Sequence, residues 1–157
     1  MNCALEIPQT KSQYRHNSSY EKTLDDKLNI VLVEDLSSDI WLAKKSLDAS
    51  EIPYNLDVLR KGELLVPHLF KGNLPDLIML DIGLPDMDGF EVLSALSTQS
   101  AILRSIPIVI VTGYKHFNEY VQNHYSLYIM GYIDKPYNTE QICNVLSRIR
   151  NDKYAPQ

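Results

Sequence analysis

The sequence predicts an α/β fold in which five parallel strands, each followed by a helix, form a (βα)5 doubly wound, three-layer sandwich. Three observations carry this reading. Short apolar runs alternate with helical periods from Leu28 to Ile149. Two of those runs, Leu77–Leu80 and Ile106–Val111, are apolar throughout, as strands covered on both faces of a parallel sheet are. Strand–helix alternation joined by right-handed crossovers then stacks helices on both sides of one sheet.

Taken in order, Leu28–Val33 reads as the first strand. Ser37 and Ser38 offer a cap for a helix over residues 39–49, where Leu36, Ile40, Ala43 and Leu47 make one apolar face. Leu56–Leu59 is a weaker second strand, and Glu63–Phe70 a short helix after Gly62. Leu77–Leu80 is the third strand. The Pro85–Gly89 stretch reads as a turn, with Asp88 and Gly89 opening a helix whose apolar positions are Phe90, Leu93 and Leu96. Ile106–Val111 is the fourth strand, and Phe117–Tyr125 a weakly patterned helix. Tyr128–Ile133 is the last strand. Thr139–Ile149 is the last helix, with Ile142, Val145, Leu146 and Ile149 on one face.

Residues 1–26 are polar and show no sustained period, so they read as a flexible arm. The folded domain is expected over 27–152, with 153–157 as a tail. At 157 residues the chain fits one ordinary domain. Its formal charge of −5 offers no cationic surplus for a general nucleic-acid surface. Cys3 and Cys143 lack metal-type spacing, which argues against a zinc ribbon or a disulfide scaffold, and Cys143 reads as an ordinary helix residue. His16, His68, His116 and His124 show no metal spacing either. With no run long enough to span a bilayer and no secretory signal, the expected setting is the cytoplasm, without membrane insertion.

In doubly wound sheets ligands lie beyond the carboxyl ends of the strands. Those ends carry Glu34 and Asp35 after the first strand, Asp81 after the third, Thr112 after the fourth and Lys135 after the fifth. Three carboxylates converging there repel one another, and a hard divalent cation such as Mg2+ relieves that repulsion. Lys135 adds a compact positive charge and Thr112 a hydroxyl donor, both suited to phosphoryl oxygens. Asp81 then has the surroundings of a carboxylate nucleophile able to form an acyl phosphate.

Glu34-Asp35, Asp81 with Pro85–Gly89 behind it, Thr112-Gly113 and Tyr132–Pro136 resemble the signature of the response-regulator receiver domain. The likeness covers about residues 27–152. It implies a flavodoxin-like sandwich and a single-domain regulator of the chemotaxis type in a two-component phosphorelay, a signalling phosphoacceptor and not an enzyme in the ordinary sense. It implies that Asp81 accepts a phosphoryl group from a histidine kinase or phosphotransfer protein. Mg2+ would be held by Asp35, Asp81, the backbone carbonyl of Gly83 and, through water, Glu34. Thr112 and Tyr132 would be the switch hydroxyl and switch aromatic, Lys135 the phosphate-pairing cation, and the bond before Pro136 cis.

By the same resemblance Gly83 and Tyr114 occupy places that tune the lifetime of the phosphorylated state, the glycine admitting water and the phenol shielding phosphorus. The face of the fourth helix, fifth strand and fifth helix would serve partner docking or homodimerisation, with Phe117, Tyr120 and Tyr128 as candidate contacts. The alternative is a receiver-fold interaction module that signals without phosphorylation. A flavin or phosphatase enzyme fits less well, since the first strand–helix loop, Glu34–Ser38, is acidic and has no glycine.

Overall fold

Parallel pairing of five strands in the order β2-β1-β3-β4-β5 organises the protein. This computed structural model describes residues 27–72, 74–113, 124–125 and 127–155. The strands are β1 (Leu28–Val33), β2 (Tyr54–Leu59), β3 (Leu77–Asp81), β4 (Ile108–Thr112) and β5 (Ile129–Asp134). The helices are α1 (Ser37–Asp48), α2 (Leu65–Leu69, entered through a 3-10 turn at Gly62–Leu64), α3 (Gly89–Ser97), α4 (Ala101–Arg104) and α5 (Thr139–Tyr154).

The strand pleat sends successive side chains to opposite faces, and the sequence has an apolar residue ready for each. Val31, Val33, Ile78, Leu80, Ile108 and Ile110 pack with Leu65, Leu69, Val92, Leu93 and Leu96 of α2 and α3. Leu28, Ile30, Leu32, Leu77, Met79, Val109 and Val111 pack on the other face with Ile40, Ala43 and Leu47 of α1 and Ile142, Leu146 and Ile149 of α5. All five residues of β3 and of β4 are buried. This two-sided burial is why both strands read as unbroken apolar runs.

Several boundaries differ from the sequence reading. Ser37 and Ser38 lie inside α1, and its N-cap is Leu36, which makes no side-chain cap bond. Ser37 instead receives a 3.2 Å hydrogen bond from Arg60. β2 starts two residues early, carried by pairing of Tyr54 and Asn55 with Leu28 and Asn29. β4 starts two residues late, because Pro107 has no N–H to give a ladder. The single turn α4, capped by Ser100, is too short to show a period. α5 runs on to Tyr154, where Lys153 pairs with Asp76 at 2.9 Å.

Cys143, buried on α5, is disulfide-bonded, which corrects its reading as an ordinary helix residue. The predicted arm 1–26 and nearly all of the predicted helix 117–125 lie outside the described residues. No helix among the described residues is long and apolar enough to cross a membrane.

The turn after β3 is held from both ends. Asp88 accepts from the N–H groups of Phe90 and Glu91 at 2.8 and 2.9 Å, while Glu91 accepts from the N–H of Asp88 at 3.0 Å, a reciprocal cap. Asp86 accepts from the N–H groups of Gly62 and Glu63, both at 3.2 Å, tying this turn to the start of α2. At Gly89 the chain passes so close to β3 that a Cβ would stand 2.6 Å from Ile82 Cα. Backbone cannot yield there as a side-chain tip would. Gly89→Ala is therefore expected to destabilise the fold by roughly 1–3 kcal/mol, read as a lower urea midpoint at unchanged m-value.

Candidate functional site

The strand order reverses direction between β1 and β3, and there the crevice opens beyond the strand ends. Glu34 and Asp35 follow β1, and Asp81 is the last residue of β3. One carboxylate oxygen from each of the three lies within 4.8 Å of the others. Thr112 ends β4, pairing in register with Asp134 of β5, and its carbonyl accepts the Lys135 N–H at 3.0 Å. The turn after β5 brings Lys135 over the same edge, with the Lys135–Pro136 peptide cis.

Glu34, Asp81 and Thr112 are buried, Glu34 completely. A buried carboxylate needs partners, and each of the two acids finds a backbone donor and a cation. Glu34 Oε1 accepts from the N–H of Leu36 at 3.1 Å, and its Oε2 meets Lys135 Nζ at 2.7 Å. Asp81 Oδ1 accepts from the N–H of Gly83 at 3.0 Å, and its Oδ2 lies 3.1 Å from Lys135 Nζ.

Asp35 is half-buried, and Arg60 braces its carbonyl at 2.9 Å. A Cβ at Gly83 would stand 3.8 Å from Asp81 Oδ1, so position 83 faces the carboxylate directly. Tyr132 is half-buried against the α2–α3 side of the core. Tyr128 is exposed at the start of β5, at the opposite end of the sheet from the acids. Tyr114, Phe117 and Tyr120 lie outside the described residues.

Two residues at the pocket carry no expected role. Asp39, in the first turn of α1, holds Lys135 Nζ at 2.8 Å. The Tyr137 hydroxyl lies 3.4 Å from Glu34 Oε2. The one sequence cue for Asp39 is its spacing of four from Asp35, which puts both on one side of a helix start. Tyr137 gives none beyond lying two residues after Lys135.

Burial pushes the Glu34 carboxyl up, and the charge of Asp81 adds to this, against the opposing pull of Lys135 and the Leu36 N–H. Lys135 is itself partly desolvated, yet bonds to Asp39, Glu34 and Asp81 hold its ammonium well above the usual range. Burial, with the negative charges of Glu34, Asp81 and Asp39, pushes the Tyr137 phenol up as well. Acids outnumber cations in this pocket. The oxygen-only donor set, with one trio of mutually close carboxylates, fits a hard divalent cation such as Mg2+.

A raised carboxyl pKa means that ionised Glu34 costs stability at neutral pH, a cost that fades as pH falls through the raised value. Mg2+ at about a hundred times its Kd is expected to add about 2.7 kcal/mol of stability, read from urea curves. Glu34→Gln and Asp35→Asn should lose most of that gain. In the unsubstituted protein Mg2+ affinity should decline on acidification beginning above the ordinary glutamate value of 4.5.

Comparison with known proteins places the chain in a family. The model of the response regulator receiver domain matches residues 30–147. Response regulator Rcp1 of Synechocystis sp. is 32% identical over 128 residues, covering 78% of this chain and 86% of Rcp1. A Mn(2+)-bound structure of Rcp1 superposes with a TM-score of 0.60 at 30% identity, covering 83% of this chain and 96% of that one. The bacteriophytochrome response regulator RtBRR has a TM-score of 0.69 at 28% identity, with 78% of each chain covered. The phosphorylated cyanobacterial phytochrome response regulator RcpA has a TM-score of 0.61 at 30% identity, covering 80% of this chain and 92% of that one. With acids, a hydroxyl and an ammonium drawn from four strand ends to one crevice, and a match spanning most of the sequence, the chain belongs to the response-regulator receiver-domain family of two-component signalling.

Proposed function

We propose that Asp81 is a phosphoacceptor, charged by a histidine kinase or phosphotransfer protein, and that phosphorylation switches an association face of this domain. The observation that carries this reading is the position of the Asp81 carboxylate. It stands buried at the sheet's edge, 3.1 Å from the Lys135 ammonium and beside Glu34 and Asp35. The phosphorylated state of RcpA and the Mn2+ bound to Rcp1 support it by analogy.

In the forward step an Asp81 oxygen bonds to phosphorus as the phosphorus–nitrogen bond of a phosphohistidine breaks, its electron pair staying on the imidazole. Hydrolysis later returns the carboxylate and inorganic phosphate. Glu34, Asp35, Asp81 and the Gly83 carbonyl would hold Mg2+, which when bound offsets charge on the transferring group. Lys135 pairs with one phosphoryl oxygen, and the Thr112 hydroxyl donates to another. Movement of Thr112 toward phosphate leaves room for the Tyr132 ring to turn inward at β5, the edge strand of the face assigned to partner docking or self-association. Phe117, Tyr120 and Tyr128 are assigned to the same side. Gly83, which faces the carboxylate, leaves one approach to phosphorus open, and Tyr114 is assigned to guard another.

Incubation with a labelled low-molecular-weight phosphodonor and Mg2+ tests this. The protein should take up label and Asp81→Asn none, with Lys135→Met slowed by at least about ten-fold, as for loss of one charged stabilising group. Label that persists in Asp81→Asn removes the assignment. A protein that takes no label from any donor points to a module signalling without phosphorylation.

A further inference from the structure

An ammonium has three protons to give, and in this pocket three carboxylates take them. Lys135 Nζ lies 2.7 Å from Glu34 Oε2, 2.8 Å from Asp39 Oδ2 and 3.1 Å from Asp81 Oδ2. Two of the three partners belong to the trio suited to a cation, and Asp39 does not. Its side chain is one-fifth exposed (21%), against 0% for Glu34 and 6% for Asp81, so Asp39 pulls on Lys135 from the solvent side of the pocket. Its other oxygen is 3.4 Å from the Ser38 hydroxyl, a contact within its own helix turn.

We propose that Asp39 is a positioning residue, drawing the Lys135 ammonium toward α1 and so setting both the divalent-cation affinity of the acidic trio and the readiness of Asp81 to take a phosphoryl group. The proposal rests on the reading of the trio as a Mg2+ site and of Asp81 as phosphoacceptor. With the charge of Asp39 removed, the ammonium settles more firmly on Glu34 Oε2 and Asp81 Oδ2, where it competes with a cation for the same oxygens. Mg2+ binding weakens. At saturating Mg2+ the cation takes the oxygens of the trio, and an ammonium that Asp39 no longer holds toward α1 then turns to a phosphoryl oxygen. The pocket is also one negative charge poorer when an anionic donor arrives. Phosphorylation at saturating Mg2+ therefore quickens. The two effects run in opposite directions, which a loosened fold does not produce.

The test is a double-mutant cycle on the full chain, with Asp39→Asn measured in the wild-type and Lys135→Met backgrounds. Mg2+ affinity is read by titration calorimetry. Acetyl phosphate serves as donor, an Asp81 oxygen bonding to phosphorus as acetate leaves. Asp39→Asn should weaken Mg2+ binding roughly three- to ten-fold and speed phosphorylation severalfold at saturating Mg2+, a coupling in the range typical of residues in direct contact. The loss of affinity should shrink below about two-fold in the Lys135→Met background, and Asp39→Glu should recover most of it.

An equal loss in both backgrounds, unchanged affinity, or affinity and rate falling together would overturn the proposal. Asp39→Ser, read in the same way, decides the matter should Asp39→Asn lower the melting temperature. A wild-type protein that binds Mg2+ but takes no phosphoryl group would instead sink the phosphoacceptor reading and the rate effect. The calorimetric cycle would still decide whether Asp39 governs the cation site through Lys135.

Discussion

Burying carboxylates at the end of an apolar sheet is unfavourable unless opposite charge comes with them, and Lys135 brings that charge here. Glu34 is fully buried and Asp81 nearly so. Each sits at the carboxyl end of a strand whose last four residues before it are buried and apolar, so desolvation must be met locally. One ammonium reaches both, and a third acid on α1 holds it from outside. These ties bring together residues about a hundred positions apart in the chain, since Lys135 Nζ bonds Glu34 and Asp39 at separations of 101 and 96. The last strand–turn segment is thereby fastened to the first.

The scaffold makes that meeting possible by topology before chemistry. All four strand pairings are parallel, so every strand's carboxyl end opens on one edge. β1 and β3 are adjacent although β2 lies between them in sequence. Their ends therefore place Glu34, Asp35 and Asp81 side by side. Behind them the close approach of Gly89 to Ile82 and the reciprocal cap of Asp88 and Glu91 set the course of the loop that leaves Asp81. At the opposite end of the sheet Asp76 does comparable work, accepting from the Asn29 N–H at 2.8 Å and pairing with Lys153 of α5.

Most of the fold was legible because two-sided burial leaves a plain mark on a sequence. β3 and β4 have no polar interior residue, and the helices α1, α3 and α5 show their apolar stripes. Where the deciding contact was between side chain and distant backbone, pattern failed. The serines that open α1 resemble a cap in sequence, yet Glu34 reaches the Leu36 N–H and Arg60 takes Ser37. The placement of Glu34, Asp35, Asp81 and Lys135 followed from strand ends alone. Asp39 did not, because it comes from a helix turn and joins the pocket only through Lys135.

The two oxygens of Asp81 are not alike. One is tethered to the amide of Gly83, the other to an ammonium. A free carboxylate has two interchangeable oxygens, but the neighbours of this one make them distinct. The lone pairs nearest the amide and those nearest the cation differ in accessible direction. The loop after β3 thus gives the two oxygens of Asp81 different surroundings.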